Sequence, residues 1–220
     1  MKLKKILTND NSESFHNEEV GESYHSHTGA VEEALKKYAE PCKIKEIAKT
    51  GKLKILDVCF GMGYNSAMAV DVALAENPDC EIEVVGLEYD PEIVEKIQEV
   101  NPAIKFFEHY KNLTPTNLEF KHKNVTVKII LGDAKESVKN LPENHFDAIF
   151  FDPFSPKTAP EMWTVKLFKQ MYRVLKESGI LATYSCARHI RDNMKEANLF
   201  WDEGPIVGRR GPATIATKWV

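Results

Sequence analysis

Three acids, Glu88, Asp133 and Asp152, each follow a short apolar run, and a fourth, Asp57, precedes a glycine-rich turn. An acid at the carboxyl end of a strand in a parallel α/β sheet stands where such sheets bind their ligands. Glu88 closes the run 81–88, EIEVVGLE. In nucleotide-binding α/β folds an acid there accepts hydrogen bonds from ribose hydroxyls; the plainer alternative is an exposed loop acid. Asp133 follows the run 125–131 through Gly132 and is followed by the small Ala134. It is placed to meet an adenine amino group, to cap a helix over 134–140, or to do both. Asp152 follows FDAIFF at 146–151, the most apolar run, and opens the loop Asp152-Pro153-Phe154-Ser155-Pro156.

Asp57 belongs to the stretch 55–66, ILDVCFGMGYNS. It reads as a buried strand, a turn at Phe60-Gly61-Met62-Gly63, and a helix that reaches about residue 76. Strand, glycine turn and helix bring backbone close to a nucleotide, because glycine lacks the Cβ that would block the approach. The third glycine of a dinucleotide fingerprint is missing, since Ser66 stands in its place. An α/β turn without a ligand is the alternative.

Composition sets the frame. With 220 residues, 43% hydrophobic and 28% charged, the chain fits one soluble globular domain. A net charge of −4 gives no global field for nucleic acid, so any such binding must use local patches. Cys42, Cys59, Cys80 and Cys186 are scattered without a C-x-x-C pair, which argues against a zinc site. Cys59 reads as a small core residue. The opening MKLKKIL has no apolar region of signal-peptide length and no run is long enough to span a bilayer, so a reducing cytoplasm is expected.

Along the chain, residues 1–28 are polar without a period and read as a solvated extension or lid before a main domain at 29–220. His25 and His27 are two apart, but no carboxylate or cysteine completes a metal set, and no metal is expected. Val31, Ala34, Leu35 and Tyr38 predict a helix stopped by Pro41, with Lys36 and Lys37 on its solvated face. Asp90-Pro91-Glu92 reads as a cap and first turn. Residues 101–124 show no clear pattern. Thr158-Ala159-Pro160-Glu161 reads as a capping box for a helix over 161–175, which gives Glu161 a structural task. Trp163 can face either core or substrate. A fifth strand at 180–185, a helix at 187–197 and a hairpin around Gly208-Arg209-Arg210-Gly211-Pro212 follow.

Leu56-Asp57-x-x-x-Gly61-x-Gly63 resembles the first motif of S-adenosylmethionine-dependent methyltransferases, and Glu88, Asp133 and Asp152 follow in that family's order. FFDPFSPKTAPEMWT resembles the signature region of the methyltransferase half of the tRNA 5-methylaminomethyl-2-thiouridine biosynthesis enzymes. ESYHSHTGAVEEA and FGMGYNS resemble single-domain relatives of that half, and GRRGPATIAT resembles their closing hairpin. The likeness covers 15–217. It departs at Pro153, where the bifunctional relatives usually carry glycine; there the loop is similar to the Asp-Pro-Pro-Tyr loop of amino-methyltransferases acting on nucleic-acid bases.

The resemblance implies a Rossmann-like fold with a mostly parallel seven-stranded sheet and a C-terminal antiparallel hairpin. It implies S-adenosyl-L-methionine as cofactor, held by Tyr24, Ser26, Asp57, Gly61, Gly63, Asn65, Glu88, Asp133, Ala134 and Asp152. The expected reaction is methyl transfer to the amine of 5-aminomethyl-(2-thio)uridine at the wobble position of tRNA. Asp152 would orient the amine and Phe154 would pack on the uracil. Pro153, Trp163, Arg209 and Arg210 would contact the substrate. The chain has no length for the flavin oxidase half, so a separate upstream enzyme is expected to supply the aminomethyl group. Two rivals share the motifs: an aminopropyltransferase of the spermidine synthase kind, and a catalytically silent tRNA-binding protein. Against the first stands the lack of a second acid between Asp152 and Glu161.

Overall fold

The structure is a computed structural model that describes residues 2–26, 28–208 and 211–218. Strands β1 (Leu3–Leu7), β2 (Glu13–Asn17) and β3 (Glu22–Ser23) form a small antiparallel sheet in the order β1-β2-β3. Helix α1 (Ala30–Glu33) continues as a π-helical segment, Ala34–Ala39, and α2 (Ile44–Ala48) follows. Then come β4 (Lys52–Val58), α3 (Tyr64–Glu76), β5 (Glu81–Glu88), α4 (Pro91–Glu95), α5 (Phe107–Tyr110), β6 (Glu119–His122) and β7 (Val125–Leu131). Helix α6 (Ala134–Ser137), β8 (Phe146–Phe151), α7 (Val165–Val174), β9 (Leu175–Thr183), α8 (Arg188–Glu196), β10 (Phe200–Glu203) and β11 (Thr214–Thr217) complete the chain.

The large sheet has the order β10-β11-β9-β8-β4-β5-β7-β6. Strands β9, β8, β4, β5 and β7 pair in parallel, while β6, β11 and β10 pair antiparallel. The central strands are apolar on both faces because helices cover both. Their side chains alternate between two cores. Ile55, Val84 and Phe150 pack beneath α1, α2 and α3. Leu56, Leu87 and Phe151 pack beneath α7 and α8. Strand order reverses between β4 and β8, which opens a crevice at their carboxyl ends.

The sheet has eight strands where seven were expected, and the addition is β6, in the stretch 101–124 that shows no period. Its EFKH sequence only alternates between exposed and half-buried positions. An edge strand with charged side chains carries little hydrophobic signal. The expectation for residues 1–28 is a solvated extension or lid. Their strands are short and polar, yet Phe15 is buried in the core.

Two local expectations are corrected. Lys37 is 2% exposed rather than solvated. Ala30, Glu33, Ala34, Lys37 and Tyr38 are all buried, and their spacing is that of one helical stripe. Position therefore overrides residue type, and Lys37 buries its charge against Glu33. The cap of α7 is Thr164, not Thr158, after a 3-10 turn at Pro160–Trp163. The Thr158 hydroxyl is taken instead by Glu22, a long-range contact that local sequence does not reveal.

Candidate active site

A cavity of about 850 Å³ opens at the carboxyl ends of β4, β5, β7 and β8. That is the upper part of the usual range for small-molecule sites. Its floor begins at the turn after β4. The Phe60 N–H donates to the Leu87 carbonyl at 3.0 Å and folds the turn against β5. The Phe60 ring then lies where a side chain at Gly63 or Gly86 would be. A Cβ at Gly63 would stand 2.5 Å from Phe60 Cζ, and one at Gly86 closer still. Gly63 thus serves packing and does not line the cavity. Gly61 does line it, with φ 56 and Tyr24 Cδ1 3.5 Å from the place a Cβ would take.

Cys59 also lines the cavity, half-buried, with φ 63. This corrects its reading as a plain core residue, and left-handed backbone is costly for any side chain but glycine. Burial, followed by the charges of Glu88, Asp152, Asp57 and Asp133, pushes its thiol pKa well up, so the sulfur stays neutral. Asp57 is fully buried and does not reach the cavity. Its carboxyl oxygens close no hydrogen bond. Burial pushes its pKa well above the carboxylate range, with Ser66 beside it acting the other way.

Glu88 braces the turn. One oxygen accepts the Gly61 N–H at 2.7 Å, and the other accepts those of Tyr89 (2.8 Å) and Asp90 (2.9 Å). Burial raises its pKa to about 6 against these three bonds. A carboxylate has about four acceptor positions, so capacity remains for a ligand hydroxyl. Tyr89 is 72% exposed at the cavity wall, an aromatic face that pattern reading passed over although it directly follows Glu88. Asp133 caps α6 through Lys135 N–H at 2.9 Å and pairs with Lys135 Nζ at 3.2 Å, while still lining the cavity with Ala134.

Asp152 continues β8, its N–H donating to the Val58 carbonyl at 3.1 Å. Asn65 Nδ2 donates to its carboxylate at 3.0 Å. Burial, then the nearby Glu33 charge, lifts its pKa to about 6, opposed by Tyr38, Asn65 and Lys37. Beside it, Glu33 pairs with Lys37 and accepts from Ser26 N (3.1 Å) and Oγ (2.9 Å). Burial alone would raise the Glu33 carboxyl; Lys37 and Ser26 more than offset that and hold it below its ordinary value. Pro153 and Phe154 also line the wall. Trp163 does not: it is 2% exposed and its indole N–H donates to the Phe154 carbonyl at 2.9 Å. It supports the loop from behind and is not in position to touch a substrate.

The N-terminal segment supplies the roof. The Tyr24 hydroxyl donates to Asp90 at 3.2 Å, and its ring meets Phe154 edge-on at 5.2 Å. His25 stacks on Tyr64 with centroids 4.8 Å apart, and burial lowers its pKa to about 4, so it is neutral near pH 7. His27, Arg209 and Arg210 lie outside the described residues. Among the described residues no group of three His, Cys, Asp or Glu is arranged to hold a metal ion, and no helix is long and apolar enough to cross a membrane.

The walls thus bring Tyr24, Ser26, Gly61, Asn65, Glu88, Asp133, Ala134, Asp152, Pro153 and Phe154 together, and leave out Asp57, Gly63 and Trp163. They carry seven carboxylates, from Glu22, Glu33, Glu88, Asp90, Asp133, Asp152 and Glu161, against one ammonium group, Lys135. Such a cavity favours cationic ligands.

A family model described as S-adenosyl-L-methionine-dependent methyltransferase matches residues 97–219, more than half of the chain. The chain belongs to this methyltransferase family. An uncharacterized protein of Methanocaldococcus jannaschii is 29% identical over 219 residues, covering 97% of this chain and 59% of that protein. The tRNA 5-methylaminomethyl-2-thiouridine biosynthesis bifunctional protein MnmC of Paraburkholderia xenovorans is 27% identical over 212 residues, covering 86% of this chain and 32% of that protein. The crystal structure of MNMC2 from Aquifex aeolicus superposes with a TM-score of 0.87 and 29% identity, covering 99% of this chain and 70% of that one. The methyltransferase therefore spans about a third of the bifunctional relative's length. Its cofactor is S-adenosyl-L-methionine.

The cavity fits that cofactor. Asn65 is 6% exposed, lines the wall, and its Oδ1 has no hydrogen-bond partner. A buried acceptor of this kind calls for a donor from a ligand. Glu88 keeps acceptor capacity for a hydroxyl donor, Tyr89 and Asp133 line the cavity beside it, and the carboxylates of the wall suit a cationic group.

Proposed function

We propose that this methyltransferase acts on the amine of 5-aminomethyl-(2-thio)uridine at the wobble position of tRNA. The observation that carries the reading is Asp152, held by Asn65 at 3.0 Å in an acidic wall, at the head of the loop that bears Phe154. A primary ammonium is drawn to such a wall, as a uracil without the aminomethyl group is not. The bifunctional protein named for biosynthesis of this thiouridine, similar over 86% of the chain, supports it.

S-adenosyl-L-methionine, when bound, supplies an electrophilic methyl on a sulfonium. The work of the protein is then alignment and proton handling. Asp152, as the carboxylate, accepts a hydrogen bond from the ammonium and takes its extra proton, giving the carboxylic acid and a neutral amine whose lone pair it aims. The Phe154 ring packs on the uracil, and Tyr24, resting on Phe154 and Asp90, keeps bulk water from the reacting end. Glu88 holds the ribose while it fixes the Gly61 turn. An upstream enzyme must supply the aminomethyl group, and tRNA as substrate makes the cytoplasm the place of action.

One observation favours a second reading. Aminopropyl transfer needs several acids for a polyamine, and the segment after Asp152 has few. The fold, however, brings Glu22 and Glu33 into the same wall from the N-terminal segment. One experiment separates the readings. Nucleoside mass spectrometry of cells lacking the protein should show 5-aminomethyl-(2-thio)uridine accumulating at the wobble position. Purified protein should transfer methyl to that tRNA and no aminopropyl group to a diamine. An unchanged nucleoside profile together with aminopropyl transfer would replace the first reading by the second.

A further inference from the structure

A second, smaller cleft of about 110 Å³ lies beside the cavity, between α6 and the start of α7. It is lined by Lys135, Lys139, Lys166, Glu136, Thr164 and Gln170. Lys135 lines both the cleft and the cavity, so one side chain spans the distance between them. The cleft is braced from behind by Arg173. Its Nη1 and Nη2 donate to the carbonyls of Leu141 (2.8 Å) and Val138 (2.7 Å), which ties α7 to the turn after α6. Its Nε donates to Gln170 Oε1 at 2.9 Å, which leaves the Gln170 amide N–H groups as donors.

The charges differ sharply between the two neighbours. The cavity wall is anionic. In the cleft, Glu136 is matched by Lys139 at 2.6 Å, and Lys135 is matched by Asp133 at 3.2 Å. Lys166 has no ion pair among the described residues, nor do the exposed Lys157, in the loop at the cavity mouth, and Lys169, one turn along α7. A polyanion meeting only the acidic wall would be repelled. A nucleotide whose base carries an ammonium needs the opposite arrangement, an acidic well for the base with cations beside it for the phosphates.

We propose that this lysine cleft binds the RNA sugar–phosphate backbone next to the target nucleotide while the base enters the acidic cavity. The assignment rests on the tRNA reading above and adds the docking surface to it. Ammonium and amide donors suit phosphate oxygens, and such contacts set register without reading sequence. Choice of nucleoside is left to the cavity.

The test is the double variant Lys139→Ala/Lys166→Ala, neither residue lining the cavity. Binding of an anticodon stem-loop RNA is measured across salt concentrations, with S-adenosyl-L-methionine affinity by calorimetry in parallel. Removing two phosphate contacts should lower the log–log salt slope by about one unit or more and weaken RNA binding about tenfold at moderate salt, with cofactor affinity unchanged. The arginine pair Lys139→Arg/Lys166→Arg should keep wild-type affinity and slope. If wild type binds and methylates tRNA and the alanine pair matches it in affinity and slope, the cleft assignment is overturned and the tRNA reading stands. If wild type itself neither binds nor methylates RNA, both fall.

Discussion

Glu22 and Ser155 are 133 residues apart in sequence, and the Ser155 N–H donates to the Glu22 carboxylate at 2.9 Å. The Ser155 and Thr158 hydroxyls donate to the same carboxylate. One side chain of the roof thus collects three donors from the loop that Asp152 begins. Charged hydrogen bonds of this kind are worth about 1.5–3 kcal/mol each. Glu22→Ala should therefore lower kcat/KM for the amine substrate by about tenfold or more and speed tryptic cleavage at Lys157. Wild-type kinetics and wild-type cleavage would show that the clamp does not order the loop.

Asp152 has a folded-state pKa of about 6, above its ordinary 3.8. A raised carboxyl stabilises the fold below its unfolded value, and that contribution is lost as pH rises through about 6. At pH 7.5 the ionised group is thus a cost to folding. Asp152→Asn should raise stability there by about 1–3 kcal/mol, and by much less at pH 4. Activity should move the other way. With cofactor saturating, wild-type kcat/KM for the amine should drop below pH 6, and Asp152→Asn should lose both that acid limb and most of its rate. Denaturant melts and pH–rate profiles on the same preparations check both halves.

Glu88 and Tyr89 are neighbours with separable roles. Tyr89→Ala should weaken S-adenosyl-L-methionine binding by about tenfold, the scale of one lost base stack. Being exposed, it should change stability by no more than about 0.5 kcal/mol. Glu88→Ala should weaken the cofactor and also lower the melting temperature, because three backbone N–H groups lose their acceptor. Calorimetry with thermal melts distinguishes them; an unchanged melt for Glu88→Ala would remove its bracing role.

The parallel core was legible because its strands are buried on both faces and read as unbroken apolar runs. Glu81–Glu88, Val125–Leu131 and Phe146–Phe151 fall where their sequences place them, and the strand-end acids come with them. Contacts that join distant residues left no local trace. Glu22 and Glu33 lie within ESYHSHTGAVEEA, and nothing local in that stretch gives either a role, yet both line the cavity with Asp152. Lys37 was misjudged because its charge hid a position on the buried stripe. Strands β1, β2 and β6 are short and polar, so their pairing is settled by partners rather than by their own periodicity.

Cys59 offers a backbone test. At φ 63 the usual order of alanine over glycine should invert. Cys59→Gly should be more stable than Cys59→Ala by about 1 kcal/mol, since only glycine adopts this conformation without penalty. The opposite ranking in denaturant melts would mean that the side chain, not the backbone, dominates at this site.

The Phe60 ring fills the space left by two glycines, Gly63 in its own turn and Gly86 on the neighbouring strand. In evolutionary terms the three positions form one heritable unit. A lineage cannot acquire a β-carbon at 86 until the ring at 60 has shrunk, whereas at 63 the φ of 78 and the Tyr110 ring, 2.8 Å from the place a Cβ would take, call for glycine even then. Across a family tree, larger residues at 86 should therefore arise only on branches where position 60 has already lost its aromatic ring, and 63 should stay glycine on those branches too.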